Sequence, residues 1–343
     1  ATSSLIALDA SEFGFDVGAK VYNYGSAAQS NVTVTATVTG PAGTWTETSA
    51  VYSLNPGDSL DVFTGGVNNL PAYSQATYPD GRYTLGYDID LGIPDESAFD
   101  NSLSYDFVIS DSLIGYASLD PVSNLPISNA NFGANNSNNL ELCITFEDPN
   151  ASRMVIGGLY FSAVTGYNSG VDLSGEEIQL TVYEWNDVFT DLNDLALAFN
   201  SLNPVAAGFY YYPSDLQGES VYGVLTAPIQ FSNNQRYLGC VKSFNTDLFL
   251  GFDTKIEYNR SLDFTLEAVS PIFTDAGQFA LGFGTDIIPA MAMNVFKVPP
   301  AGVNEMNQEF GTIYPSPATD VVNVLLNKDY GKARLSIIDL TGR

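Results

Sequence analysis

The side chains able to do acid–base or ligand chemistry in this chain are almost all carboxylates. There are 39 Asp and Glu against 12 Lys and Arg, and no histidine. The missing imidazole removes the commonest general base, the commonest transition-metal ligand and the usual partner of a Ser or Cys nucleophile. What remains open to carboxylates is to hold a hard cation or to work in pairs on a glycosidic bond. The densest set is Asp88, Asp90, Asp95, Glu96 and Asp100, which lie within 13 positions around Gly92. Oxygen ligands at that density suit Ca2+, the one cofactor the sequence suggests, although the spacing is not that of an EF-hand loop. The same residues equally suit a solvated turn whose Asp and Asn side chains cap their own backbone. For glycoside cleavage the material is Glu176, Glu177, Glu184 and Glu257, but adjacent Glu176 and Glu177 are expected on opposite faces of a strand. No nucleophile elbow, phosphate loop or metal triad occurs, so a non-enzymatic role is expected.

A second set of residues bears on sugar recognition. Trp185, Tyr210, Tyr211, Tyr212 and Tyr222 are candidate stacking platforms, with Asp187, Asp191 and Asp215 near them in sequence as acceptors for hydroxyls. In a strand Tyr210 and Tyr212 share the face opposite Tyr211, so one face packs inside and the other decorates the sheet. The two cysteines, Cys143 and Cys240, both fall inside apparent strands. They are either a disulfide or plain buried hydrophobes.

These residues need strands to hold them, and the composition favours strands. Charged residues are only 15% of the chain, while 21 Phe and 20 Tyr accompany many Ser, Thr and Asn, a mixture poor in helix formers. Residues 1–112 read as an Ig-like sandwich. Val32, Val34, Ala36 and Val38 alternate with period two, and turn signals such as Pro56-Gly57-Asp58 recur between short strands. Residues 113–298 read as a larger, jelly-roll-like sandwich of about ten strands. One piece of it, Asp187 to Ser201, allows a turn or two of helix on the rim. Residues 299–309, with Pro299, Pro300 and Gly302, form an extended linker, and a partial third sandwich follows at 310–343. The expected fold is therefore all-β, in tandem sandwiches.

Two stretches carry a resemblance. The phrase Val21 to Gly25, with Leu54 to Asp58 and Asp100 to Ser102, resembles the Ig-like spacer modules of bacterial surface proteins. The end of the chain, Ile313-Tyr314-Pro315-Ser316-Pro317-Ala318-Thr319-Asp320 followed by Ser336 to Arg343, is similar to the C-terminal sorting domain by which Bacteroidetes export proteins through type IX secretion. The matching positions are Tyr314, Pro315, Pro317, Ala318, Asp339, Gly342 and Arg343. Ser316 stands where that family usually has Asn, and the family domain continues for several strands past the Thr-Gly-Arg turn. This resemblance implies an extracellular or cell-surface protein whose partner is the secretion machinery. Processing near the linker, and a chain seen in mature or trimmed form, would follow.

Charge narrows the partners further. The net charge of −27 repels nucleic-acid phosphates, and no run of 18 apolar residues exists to span a membrane. The expected function is a surface structural or adhesive protein. One variant polymerises with itself into an extracellular filament or sheath. Alternatives are a carbohydrate-binding module contacting surface glycans, or a carboxylate-dependent glycan-active enzyme.

Overall fold

In a computed structural model the chain is described at residues 4–5, 14–65, 70–95, 97–133, 139–166, 170–186, 199, 202–256, 258, 268–275, 277–298, 311–314 and 323–326. The expected helical turn at Asp187–Ser201 falls almost wholly outside these; so, wholly, do residues 263–267, whose sequence reads as a strand. The alternation of Val32, Val34, Ala36 and Val38 builds a strand whose even positions are buried and whose threonines face out. Around it lie β1 (Ser4–Leu5), β2 (Gly18–Tyr22), β3 (Gln29–Gly40, the strand just described), β4 (Gly43–Thr48), β5 (Tyr52–Leu54), β6 (Ser59–Phe63), β7 (Gly81–Asp90) and β8 (Ser102–Ile109). Val21, Val34, Tyr83 and Phe107 from these strands, with Val17 and Tyr73 from the loops beside them, form a core of their own.

The larger region begins with β9 (Leu113–Gly115), β10 (Ala130–Phe132), β11 (Leu140–Phe146), β12 (Met154–Phe161), β13 (Ala163–Thr165) and β14 (Glu177–Trp185). It continues through β15 (Leu202–Tyr211), β16 (Val221–Gln230), β17 (Arg236–Ser243), β18 (Leu248–Asp253), β19 (Ile272–Thr274), β20 (Gly277–Phe279), β21 (Ile288–Pro289) and β22 (Ala292–Lys297). The apolar run Phe279-Ala280-Leu281-Gly282-Phe283-Gly284 reads as a strand in the sequence. Instead β20 stops at Phe279, because Gly282 and Gly284 adopt positive φ in a turn.

Six of these strands form one sheet in the order β15-β14-β17-β11-β19-β20. It packs against a ten-stranded sheet, β16-β12-β22-β9-β1-β8-β7-β3-β4, with β5 beside β3. Leu142, Ile144, Leu180, Val182 and Val241 from the first sheet meet Ile156, Leu159, Leu225, Met293 and Val295 from the second in a continuous core. The layers come close at Gly239. A Cβ there would stand 2.7 Å from Met293 Cε and 3.0 Å from Leu159 Cδ2. The molecule is thus an all-β protein built from packed antiparallel sheets. Its two main cores divide near residue 113, but the ten-stranded sheet crosses that point through β8-β1-β9, and residues 1–298 form one compact unit.

Residues 299–343 form a second unit, in which β23 (Gly311–Tyr314) pairs antiparallel with β24 (Asn323–Leu326). No helix among the described residues is long and apolar enough to cross a membrane.

Candidate functional site

The middle strands of the six-stranded sheet are buried on both faces, which is unusual for a surface sheet and shows where something covers it. Every residue of β11 is buried. Leu140, Leu142 and Ile144 face the main core, while Glu141, Cys143 and Thr145 face outward. Part of that outer face is covered by a second apolar cluster of Cys143, Cys240, Trp185, Leu238, Phe199 and Ala268. Cys143 stands directly opposite Cys240, and the two are joined as a disulfide.

The rest of the outer face is differently built and opens towards β14 and β15. Pairing across β15, β14, β17, β11 and β19 brings Phe209, Gln179, Lys242, Glu141 and Phe273 into one row running across the sheet. At interstrand spacings of roughly 4.8 Å, the row spans about 19 Å. One pleat further along, Tyr211 lies opposite Glu177, and beyond them Phe244 follows the last residue of β17. Phe209, Tyr211 and Phe244 are 53%, 58% and 52% exposed. A shallow, open depression of about 470 Å³ beside them is lined by Glu176, Glu177, Phe244, Asn245 and Thr246.

Hydrogen bonds and charge fix the polar members. The Tyr183 hydroxyl donates to Glu141 Oε1 at 3.0 Å, and Lys242 Nζ lies 3.9 Å from Glu141 Oε2. Burial pushes the Glu141 carboxyl above its ordinary value, against the opposing pull of Tyr183 and Lys242. Burial first, and then the Glu141 charge, push the Tyr183 hydroxyl up as well. Asn245 Nδ2 donates to Glu176 Oε2 at 3.0 Å. A hydrogen bond to Glu177 raises the pKa of the Tyr211 hydroxyl. The Lys242 ammonium sits 5.0 Å from the centroid of the Phe244 ring.

The aromatic residues expected to bind glycan do not form one site. Trp185 is on the outer face but only 1% exposed, because Phe199 stacks on its ring at 4.8 Å and Arg236 lies over it at 5.5 Å. Tyr212 is 2% exposed and packs edge-on against Phe161, with Tyr210 half-buried beside it. Both turn towards the core, as their shared parity in the chain requires, Tyr212 within it and Tyr210 packed against it. Tyr211 alone of the three faces solvent. Tyr222 belongs to the opposite side of the molecule, where its ring lies 4.9 Å from Tyr160 and its hydroxyl donates to Asn294 Oδ1 at 3.1 Å. It can lie there because β12 bulges at Gly157–Gly158: a Cβ on Gly158 would come within 2.7 Å of the Tyr222 ring.

Glu176 and Glu177 also differ from expectation, since both line the same depression. Glu176 precedes β14 and so escapes the alternation that would have turned it to the other face. The acidic loop behaves as a turn. Asp90 Oδ1 accepts from the Gly92 N–H at 2.8 Å, and Asp95 takes both the Ser97 N–H and the Asn101 amide. Among the described residues, no three of Asp88, Asp90, Asp95 and Asp100 bring their oxygens within 4.8 Å of one another, and Glu96 lies outside those residues. Glu141 does come that close to both cysteine sulfurs, but the disulfide uses up the thiolates a metal would need. Of the sorting positions, Tyr314 ends β23, and Pro315, Pro317, Ala318, Asp339, Gly342 and Arg343 lie outside the described residues.

No protein-family model matches the chain, and no characterised relative does. Among solved structures, it resembles a carbohydrate-binding module of the β-sandwich superfamily at a TM-score of 0.19 and 7% identity, over 69% of this chain and 96% of that one. It also resembles the stem and receptor-binding domain of the spike protein P1 of bacteriophage PM2, at 0.18 and 8%, over 83% and 96%. Scores this low carry no weight for function. The all-β class stands on the sheets themselves.

Proposed function

We propose that this is a secreted or surface-displayed adhesive protein that holds glycans without cleaving them, using the open half of the outer face of the six-stranded sheet. The observation that carries the reading is the exposure of Phe209, Tyr211 and Phe244 in one patch with Gln179, Glu177 and Asn245. Aromatic rings offer flat apolar faces to the CH side of a sugar, while carboxylates and amides between them match its hydroxyls. The core does not need these three rings. The reading as binding without cleavage rests on the exposed rings, which can stack on sugar faces but supply no carboxyl acid or base to a glycosidic bond. The Cys143–Cys240 disulfide fits an oxidising, extracellular compartment. We further propose that residues 310–343 act as the export address, on the strength of the motifs they carry.

Pull-down on insoluble cellulose, chitin and cell-wall polysaccharide, followed by titration with soluble oligomers, tests the binding. The Phe209→Ala/Tyr211→Ala variant should lose at least about tenfold in affinity, corresponding to about 1.4 kcal/mol of lost stacking. Unchanged binding by that variant, or release of new reducing ends by the parent protein, would overturn the reading. Removing residues 310–343 in the native host should trap the protein inside the cell envelope, and normal export of the shortened chain would refute the address.

A further inference from the structure

Phe244 takes part in two groupings of carboxylates that differ in one respect. In one an ammonium is already present, since Lys242 Nζ lies 5.0 Å from the Phe244 centroid and 3.9 Å from Glu141 Oε2. In the other the depression holds the same ingredients, the Phe244 ring with the carboxylates of Glu176 and Glu177. Here, however, the partners are neutral. Asn245 donates its amide to Glu176, and Tyr211 stands directly opposite Glu177 on the neighbouring strand. Among the described residues no ammonium or guanidinium reaches either carboxylate.

We propose that this depression receives a protonated amine of the ligand, so that the preferred glycan is an amino-sugar chain with free amino groups. The inference rests on the glycan-binding reading above and adds the chemical class. An ammonium beside an aromatic ring and two carboxylates gains from the ring quadrupole and from Coulomb attraction, and an open site does not strip it of all its water. Asn245 and Thr246, on the same rim, are placed to meet neighbouring hydroxyls. The volume of about 470 Å³ admits a sugar ring and not only a small ion. Charge complementarity extends beyond the site, because a chain of net charge −27 attracts a polycation and repels uronate or sulfated glycans. Phe209 and Tyr211, across β14 from the depression, are exposed and would carry the rest of an extended chain.

The test is calorimetric titration of the full chain with three hexamers of equal length: glucosamine, N-acetylglucosamine and glucose. The glucosamine hexamer should bind most tightly, by about tenfold, with an affinity that falls as salt is added and as pH rises through ionisation of the amine. A Glu176→Gln/Glu177→Gln variant, checked for an unchanged melting temperature, should lose that advantage and bind the acetylated hexamer as the parent does. Equal affinity of the parent for free and acetylated hexamers, or an advantage that survives in the variant, overturns the amine site and leaves glycan binding standing. If none of the three hexamers and none of the insoluble glycans binds, the glycan reading and the amine site fall together.

Discussion

Removing the Cys143–Cys240 bond should cost the protein several kcal/mol, and the loss should show in the denatured state as well as in the native one. The two residues are 97 positions apart, so the bond closes a long loop in the unfolded chain. In the chain-entropy account a loop of roughly 100 residues corresponds to about 4.7 kcal/mol at 25 °C, and measured values for native disulfides run about 2–5 kcal/mol. Replacing both sulfurs by hydrogens also opens a small void in the cluster with Trp185, Leu238 and Phe199, which adds to the loss. The expected total for a Cys143→Ala/Cys240→Ala variant is about 3–5 kcal/mol. Urea unfolding followed by fluorescence is the assay, with oxidised parent, reduced parent and double variant compared at one pH. The slope m should rise along with the fall in midpoint, because an uncrosslinked denatured chain exposes more surface. A change under about 1 kcal/mol would refute the loop argument. Free thiols in the denatured parent without reductant would refute the bond itself.

Two further substitutions probe buried ionisable groups. Tyr52 is buried with no hydrogen-bond partner for its hydroxyl among the described residues, and burial pushes its pKa up to about 12. Tyr52→Phe should raise stability by about 1 kcal/mol, and a lower urea midpoint for the variant would mean that the hydroxyl has a partner. The raised pKa also fixes a pH dependence. The stability tied to a neutral Tyr52 is complete below its ordinary value of 10.0 and is lost as pH rises towards about 12, so the parent should weaken in that window more than the variant does. Glu141, whose carboxyl is raised by burial, behaves in the same sense at lower pH. The folded state holds its proton longer than the unfolded state, so its contribution is complete below the ordinary Glu range and declines as pH rises through the folded value. Midpoints of the parent relative to Glu141→Gln should therefore fall with rising pH just above that range, and a parallel pair of curves would contradict the buried assignment.

The all-β class was legible because it depends on local pattern. Val32 to Val38 alternate, strands end at Pro-Gly-Asp or Asn-Tyr-Gly, and helix formers are scarce. The parity of Tyr210, Tyr211 and Tyr212 was legible for the same reason, and stepping back two residues from Tyr211 would have named Phe209. Trp185 was misread because parity gives the face and not what lies above it. Its cover includes Phe199, fourteen residues away in a stretch with no strand pattern. Glu141, Lys242 and Phe244 carried no signal as a group, since they meet only through the register of β11 with β17. The Gly157–Gly158 bulge that seats Tyr222 is similarly a property of three paired strands. Likewise the continuity of the sheet through β8-β1-β9 depends on a two-residue strand too short to read.

Register is also what links the covered and open halves of the outer face. Cys143 pairs with Cys240, and two residues along the same strands Glu141 pairs with Lys242. A slip of one residue between β11 and β17 would turn Glu141 into the apolar core and bring core residues to the surface. The disulfide forbids that slip covalently. The closed apolar cluster around it therefore does more than fill space: it holds two strands in the single alignment that sets a carboxylate beside an ammonium in the middle of the row. The same alignment fixes how far the exposed Phe244, two residues past Lys242, stands from Glu177 on β14. Stability in one half of the face and the recognition proposed for the other are, on this geometry, consequences of the same pair of strands.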